Sequence, residues 1–267
     1  MVPRAQIDIA AAVPDLDRQL AARARRGAAF ARTADLARVE YGPHRRQWIE
    51  WVGGGAPTVL PVFVHGGYWR ALTAEGHRAV LPGLLAHASA AANLEYRLMP
   101  DARMADLVAD VRGGVRAALG AVGAVRALLV GHSAGAHLAL AAAHHEPEAV
   151  AGAVLLSGIY DLAPIAGSFL QETLRLAPEE VERFSPLRRG WRAGRTLVAV
   201  GAEETAFFRD QARTYAAAAG AAHAVFPGQH ISVLDGLEAP DGPVSRAIGG
   251  LLAGEAWDTD AHRPHPP

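Results

Sequence analysis

Apolar runs of strand length alternate with longer segments of helical period along most of this 267-residue chain, and no other feature limits its fold so strongly. The runs fall at 58–64, 91–96, 127–130, 150–156, 196–200 and 222–226, and helical patterns cover 76–88, 102–122, 134–145, 206–219 and about 243–252. Several runs are apolar almost throughout, as strands buried on both faces must be. Such alternation implies right-handed crossovers and an α/β architecture, a mostly parallel central sheet with helices on both faces. Segments 38–41 and 46–52 alternate with period two instead and predict an antiparallel opening hairpin at one sheet edge. The long interval 159–194, with a short helical stretch near 178–184, reads as a small lid insertion. No linker divides the chain, so residues 1–257 are expected to form a single domain. The polar, proline-rich residues 258–267 form a tail expected to be disordered.

Composition removes several classes of function. A formal charge of −1 offers neither a counterion-releasing surface for nucleic acid nor a polybasic membrane patch. The absence of cysteine excludes disulfides, thiolate metal sites and a cysteine nucleophile, and it suits a reducing compartment. The first twenty residues lack the apolar core of a signal peptide, and no apolar run approaches the roughly 18 residues of a membrane span. A cytoplasmic protein is expected. His144 and His145 have no carboxylate at metal-ligand spacing, so no metal is expected. The oligomeric state is open, a homodimer included.

Two turns carry the chemistry. Gly131-His132-Ser133-Ala134-Gly135 ends a buried strand and opens an alanine-rich helix. That is the setting of a nucleophile elbow, in which the serine sits on a sharp strand-to-helix turn of an α/β-hydrolase fold. His65-Gly66-Gly67-Tyr68-Trp69 follows the long strand before it. Its glycines allow backbone N–H groups to approach a carbonyl oxygen, so Gly66 and Gly67, with Ala134, are the candidate oxyanion donors. His65 is expected to brace that loop. Tyr68 and Trp69 are expected to form an aromatic substrate wall, and His132, beside the nucleophile, is grouped with them. The blander alternatives are an ordinary glycine-rich turn and core aromatics.

A serine nucleophile needs a base, and in this fold the acid and histidine follow it in the chain. His137, His144 and His145 lie on the elbow helix or at its end. His223 falls within a strand, and His262 and His265 belong to the tail. His230 follows the turn after the last strand, at the edge where open α/β sheets gather reactive residues, and is the expected base. For the acid, Glu203 and Glu204 compete at the end of 196–200, with Asp161 a third candidate. The chemistry alone does not choose among them.

The chain resembles the kynurenine formamidase (arylformamidase) branch of the α/β-hydrolases. The resemblance runs from about residue 39 to 237. It is carried by Val39-Glu40-Tyr41-Gly42, by the HGGYW loop continuing as Arg70-Ala71-Leu72, and by Asn93-Leu94-Glu95-Tyr96-Arg97-Leu98. The GHSAG elbow, Ser157-Gly158-Ile159-Tyr160-Asp161-Leu162, Glu204-Thr205 with Phe208 and Gln211, and His230 with Ser232-Val233-Leu234 complete it. It implies a cofactor-free hydrolase of N-formylkynurenine and puts the acid at Glu204, where many relatives carry Asp. Gln171 stands where relatives often have Asn, and the stretch after Leu72 lacks their charged residues. Both departures lie where substrate selectivity is expected to be set, and Arg70 is a candidate for a substrate carboxylate. The rival readings are a short-chain carboxylesterase using the same triad and a non-catalytic binding protein of the same fold.

Overall fold

The valines and leucines of β3 (Val59–Val64) show how the sheet is built. Leu60, Val62 and Val64 enter one hydrophobic core while Phe63 enters another on the opposite face. A strand apolar on both sides must be covered on both sides, and the computed structural model, which describes residues 2–255, covers it so. Eight strands run in the order β1-β2-β4-β3-β5-β6-β7-β8. The others are β1 (Ala37–Glu40), β2 (Trp48–Gly53), β4 (Ala90–Leu94), β5 (Arg126–His132), β6 (Val150–Leu156), β7 (Arg195–Gly201) and β8 (Ala222–Phe226). β1, β2 and β4 pair antiparallel, so the opening hairpin lies at the sheet edge, and every pairing from β4 to β8 is parallel.

Three helices lie at the N-terminus: α1 (Arg4–Ile7), α2 (Ile9–Ala12) and α3 (Leu16–Ala31). Then come α4 (Leu81–Leu85), α5 (Met104–Val122) and α6 (Ala134–His145). The short helices α7 (Ala163–Ala166), α8 (Gln171–Leu174), α9 (Pro178–Phe184) and α10 (Pro186–Arg189) fill the interval before β7. The last are α11 (Ala206–Ala219), α12 (Asp235–Glu238) and α13 (Pro243–Leu252). The core that receives Leu60 lies beneath α5, α6 and α11, and the core that receives Phe63 beneath α4, α12 and α13.

Two differences from the sequence reading have physical causes. Residues 76–88 do not form one helix: a 3-10 turn over Glu75–Val80 precedes α4. Pro82 has no amide hydrogen to donate to the carbonyl four residues earlier, which splits the helix there. The N-terminal helices were not expected at all. The inward residues of α3 are Leu16, Leu20, Arg23, Gly27 and Phe30, at helical spacing. An arginine and a glycine in mid-stripe erase its apolar period. The expected tail, 258–267, lies outside the described residues.

Candidate active site

The parallel strands end on one edge, and the chemically distinctive side chains gather there. β5 delivers Ser133, the β7 turn Glu204, and the β8 turn His230. Ser133 sits at φ 56° and ψ −122°, a conformation that costs energy for any side chain and persists only where packing enforces it. The neighbouring glycines make that packing possible. A Cβ on Gly131 would lie 2.5 Å from the Ala136 Cα, and one on Gly135 would lie 2.1 Å from the Val64 carbonyl oxygen. The Ser133 amide is tied to the Leu156 carbonyl at 2.8 Å.

His230 Nε2 lies 3.0 Å from Ser133 Oγ, and its Nδ1 lies 2.7 Å from Glu204 Oε2. All three residues are buried. The other Glu204 oxygen, Oε1, accepts from Ser157 Oγ and from the Gly201 amide at 2.9 Å. Of the three candidate acids only Glu204 reaches His230. Glu203 is exposed, and Asp161 pairs with Arg188 at 3.0 Å.

His132 holds the histidine from behind. Its Nε2–H donates to the His230 carbonyl at 2.7 Å, and the two rings lie 4.9 Å apart. Burial and then the neighbouring His230 push the His132 imidazole well below its usual value, so it stays neutral. The ring of Phe208 covers His230 at a centroid distance of 4.1 Å. One residue on, buried Arg23 of α3 donates to the Ile231 carbonyl at 3.1 Å and pairs with Asp235 and Glu238 of α12.

Opposite the serine lies the His65–Trp69 turn. A Cβ on Gly66 would stand 3.0 Å from the Ser133 Cβ. Gly67 has φ +107°, and a Cβ there would lie 2.1 Å from the Ala71 carbonyl oxygen, so only glycine fits. Among the described residues, the amides of Gly66, Gly67 and Ala134 donate no hydrogen bond within the chain. His65 braces the loop: its Nε2 lies 3.2 Å from Glu95, and its ring stacks on Tyr96 at 4.4 Å. Burial alone would raise the Glu95 carboxyl, but the bond from His65 and the charge of Arg46 hold it below its ordinary value.

A pocket of about 250 Å³ opens over Ser133 and His230. Tyr68 and His132 line it, but Trp69 does not. Tyr68 and Trp69 both adopt positive φ, 48° and 57°. The tight turn carries the indole into the core, fully buried and edge-on to His137 at 5.2 Å. Gln171 also does other work than expected: its amide clasps the backbone N–H and C=O of Leu176, closing a turn. Its neighbours Phe169 and Leu170 are the residues that reach the pocket. The wall missed by sequence reasoning is N-terminal, with Asp8 and Ile9 at the α1–α2 junction and Leu16 and Leu20 of α3.

Residues 62–266 match the alpha/beta hydrolase family. The chain belongs to that family. Among curated relatives, the hydrolase is 31% identical to the kynurenine formamidase of Salmo salar over 169 residues, 58% of either chain. It is 32% identical to the kynurenine formamidase of Danio rerio over 136 residues, 48% of this chain and 46% of that one. The matched stretch thus spans about half the length of these curated relatives. Among solved structures, a candidate thioesterase from Silicibacter sp. TM1040 superposes with a TM-score of 0.82 at 25% identity, over 90% of this chain and 97% of that one. An esterase of the bacterial hormone-sensitive lipase family superposes at 0.67 with 20% identity, over 91% and 98% of the two chains, a likeness of fold alone. Among the described residues no helix is long and apolar enough to cross a membrane, and no three His, Asp or Glu side chains cluster as metal ligands would.

Proposed function

We propose that this hydrolase cleaves an aryl formamide, N-formyl-L-kynurenine plus water giving L-kynurenine and formate, through a Ser133–His230–Glu204 triad. The observation that carries the mechanism is the hydrogen-bonded line from Ser133 Oγ to His230 to Glu204, at 3.0 and 2.7 Å, beneath the pocket. His230 Nε2 takes the Ser133 proton as Oγ attacks the formyl carbon. Glu204 keeps the other ring proton on Nδ1 and stabilises the imidazolium that forms. The amides of Gly66, Gly67 and Ala134 receive the oxyanion, and losing one such donor typically costs about 10²–10³-fold in rate. His230 then protonates the departing aryl amine. A water molecule, deprotonated by the same imidazole, releases formate from the serine ester.

The formamide assignment is supported by the likeness to the two fish kynurenine formamidases. A small acyl group also suits a narrow pocket walled by Tyr68 and Phe169. The reading requires a small-molecule substrate and no cofactor, nucleic acid or membrane, and it places the reaction in the cytoplasm. A short-chain carboxylester would be opened by the same groups, and the apolar walls Ile9, Leu16 and Leu20 favour that as the second reading. Hydrolysis of N-formylkynurenine by the wild type and Ser133→Ala, beside a short-chain phenyl ester, separates the two. Ser133-dependent kynurenine release faster than ester turnover supports the formamidase. Ester turnover without kynurenine release leaves an esterase. Failure of a fluorophosphonate to label Ser133 would leave only a binding protein.

A further inference from the structure

The pocket is largely apolar but carries two opposite charges at its rim. Asp8 stands at the junction of α1 and α2, and Arg70 lies just beyond the HGGYW turn. Tyr68 feels both charges: burial raises its phenol most, Asp8 and then Glu204 raise it further, and Arg70 opposes them. The junction is tied down in three places. Tyr68 Oη donates to the Ile7 carbonyl at 2.7 Å, Thr205 Oγ1 donates to the Gln6 carbonyl at 2.7 Å, and the Phe207 amide donates to Gln6 Oε1 at 3.3 Å. Two of those anchors lie just past Glu204. Asp8 is therefore fixed relative to the triad.

The Asp8 carboxylate is half engaged. Oδ2 accepts from Arg4 at 3.0 Å, and no hydrogen bond to Oδ1 is formed among the described residues. The side chain is 19% exposed, against 69% for Arg4. Arg4 itself lies over the ring of Phe169 at 4.3 Å, outside the pocket that Phe169 lines. Asp8 caps neither α1 nor α2 through its side chain, so the carboxylate has no local backbone duty. Arg70 is exposed, and among the described residues its guanidinium makes only a 3.4 Å contact with Thr173 Oγ1. A carboxylate with an open oxygen and a lightly held guanidinium, both lining one apolar pocket, match an aromatic amino acid whose α-carbon carries an ammonium and a carboxylate together.

Resting on the proposed formamidase reading, we infer that Asp8 of the N-terminal helices binds the ammonium of a zwitterionic aryl substrate, with Arg70 receiving its carboxylate. The helical segment 4–12 is then a specificity element and not only a cover. An uncharged acyl substrate would gain nothing from it.

The test uses the full chain and turnover of p-nitrophenyl acetate, an uncharged ester, as the readout. Two competitive inhibitors are compared: L-kynurenine and its desamino analogue, which keeps the ring, ketone and carboxylate. Asp8→Asn should weaken kynurenine inhibition about tenfold, the loss expected for one partly exposed charge-assisted hydrogen bond. Desamino inhibition, taken against each variant's own ester turnover, should stay within about twofold. Arg70→Met should weaken both inhibitors. Arg4→Ala removes the competing cation and should leave kynurenine inhibition equal or tighter. Equal loss of both inhibitors in Asp8→Asn, or the same loss in Arg4→Ala, would overturn the inference and make Asp8 a helix tie. Asp8-dependent kynurenine inhibition in an enzyme that fails to cleave the formamide would sink the formamidase reading and leave this one. Formamide cleavage indifferent to Asp8 would do the reverse.

Discussion

Replacing Glu204 by Gln removes one charge and almost no volume, yet the surroundings dictate which way the amide must point. In the native site Oε1 accepts two donors, Ser157 Oγ–H and the Gly201 N–H, while Oε2 accepts from His230 Nδ1. A glutamine oxygen therefore belongs at the Oε1 position, because an NH₂ group there would face the Gly201 N–H. Its NH₂ must then point at His230 Nδ1, which can receive it only as an acceptor. The neutral imidazole is forced into the tautomer with its proton on Nε2, facing Ser133 Oγ. In that tautomer it cannot accept the serine proton. A wrong-tautomer histidine in a serine hydrolase costs about 10⁴-fold in kcat, or about 5.5 kcal/mol of transition-state stabilisation. We expect Glu204→Gln to lose about 10³–10⁴-fold in kcat, with Tm little changed. Glu203→Gln, at an exposed position, should stay within about twofold of wild type. The assay is steady-state turnover of N-formylkynurenine and of a phenyl ester by both variants. Retention of more than a tenth of kcat by Glu204→Gln would refute the tautomer argument.

Arg23→Met should lower stability by about 3 kcal/mol, because it strips the cation from Glu238 and Asp235 and frees the Ile231 carbonyl. In a chain of this size that is a Tm shift of about 6–12 °C by calorimetry, and an unchanged Tm would contradict it. Acid should destabilise the fold through its buried imidazoles. Burial lowers His77 from 6.5 to about 3 and His137 from 6.5 to about 4. Both are neutral when folded above those values, whereas the unfolded chain takes up protons below pH 6.5. Stability therefore falls as pH drops from 6.5, by about 1.4 kcal/mol per unit for each group. Together they lose on the order of 4 kcal/mol between pH 6.5 and 5 and add no slope above pH 7. Equal urea midpoints at pH 7.5 and 5.0 would count against it. Gly67→Ala should fail to form the HGGYW loop, since its Cβ meets the Ala71 carbonyl at 2.1 Å at positive φ. Loss of ester turnover with fold retained by circular dichroism is expected.

The sheet was legible because a strand buried on both faces leaves its mark in consecutive residues. β6 falls at the expected bounds for that reason, and α6, α9 and α11 coincide with the expected helical stretches. The line of Ser133 and His230 was legible because each follows a strand, and the end of a parallel strand is the edge where this architecture gathers side chains. Glu204 was not separable from Glu203 by chemistry. One residue along a turn changes which side chain points inward, and only the backbone path from Gly201 decides it. The Trp69 expectation failed likewise: an aromatic in a site loop suggests a wall, but two successive positive φ values carried its ring into the core.

The N-terminal wall was illegible for a different reason. Its inward face reads Leu16, Leu20, Arg23, Gly27, Phe30, and the two residues that break the apolar period are the ones with specific tertiary roles. Gly27 is small because a Cβ there would lie 3.0 Å from the Ala79 amide nitrogen in the 3-10 turn before α4. Arg23 is charged because it meets two carboxylates of α12 and a carbonyl beside His230. A period-seeking reading scores both as interruptions. Yet a buried arginine is stable only where partners have been provided for it, and such partners are remote in sequence. The interruption itself was therefore the usable signal. Arg and Gly at core-facing spacing within a helical stretch mark a helix docked on something already built. Here the docked surface is the 3-10 turn over Glu75–Val80 together with the segment that follows His230, which is why α3 also reaches the pocket.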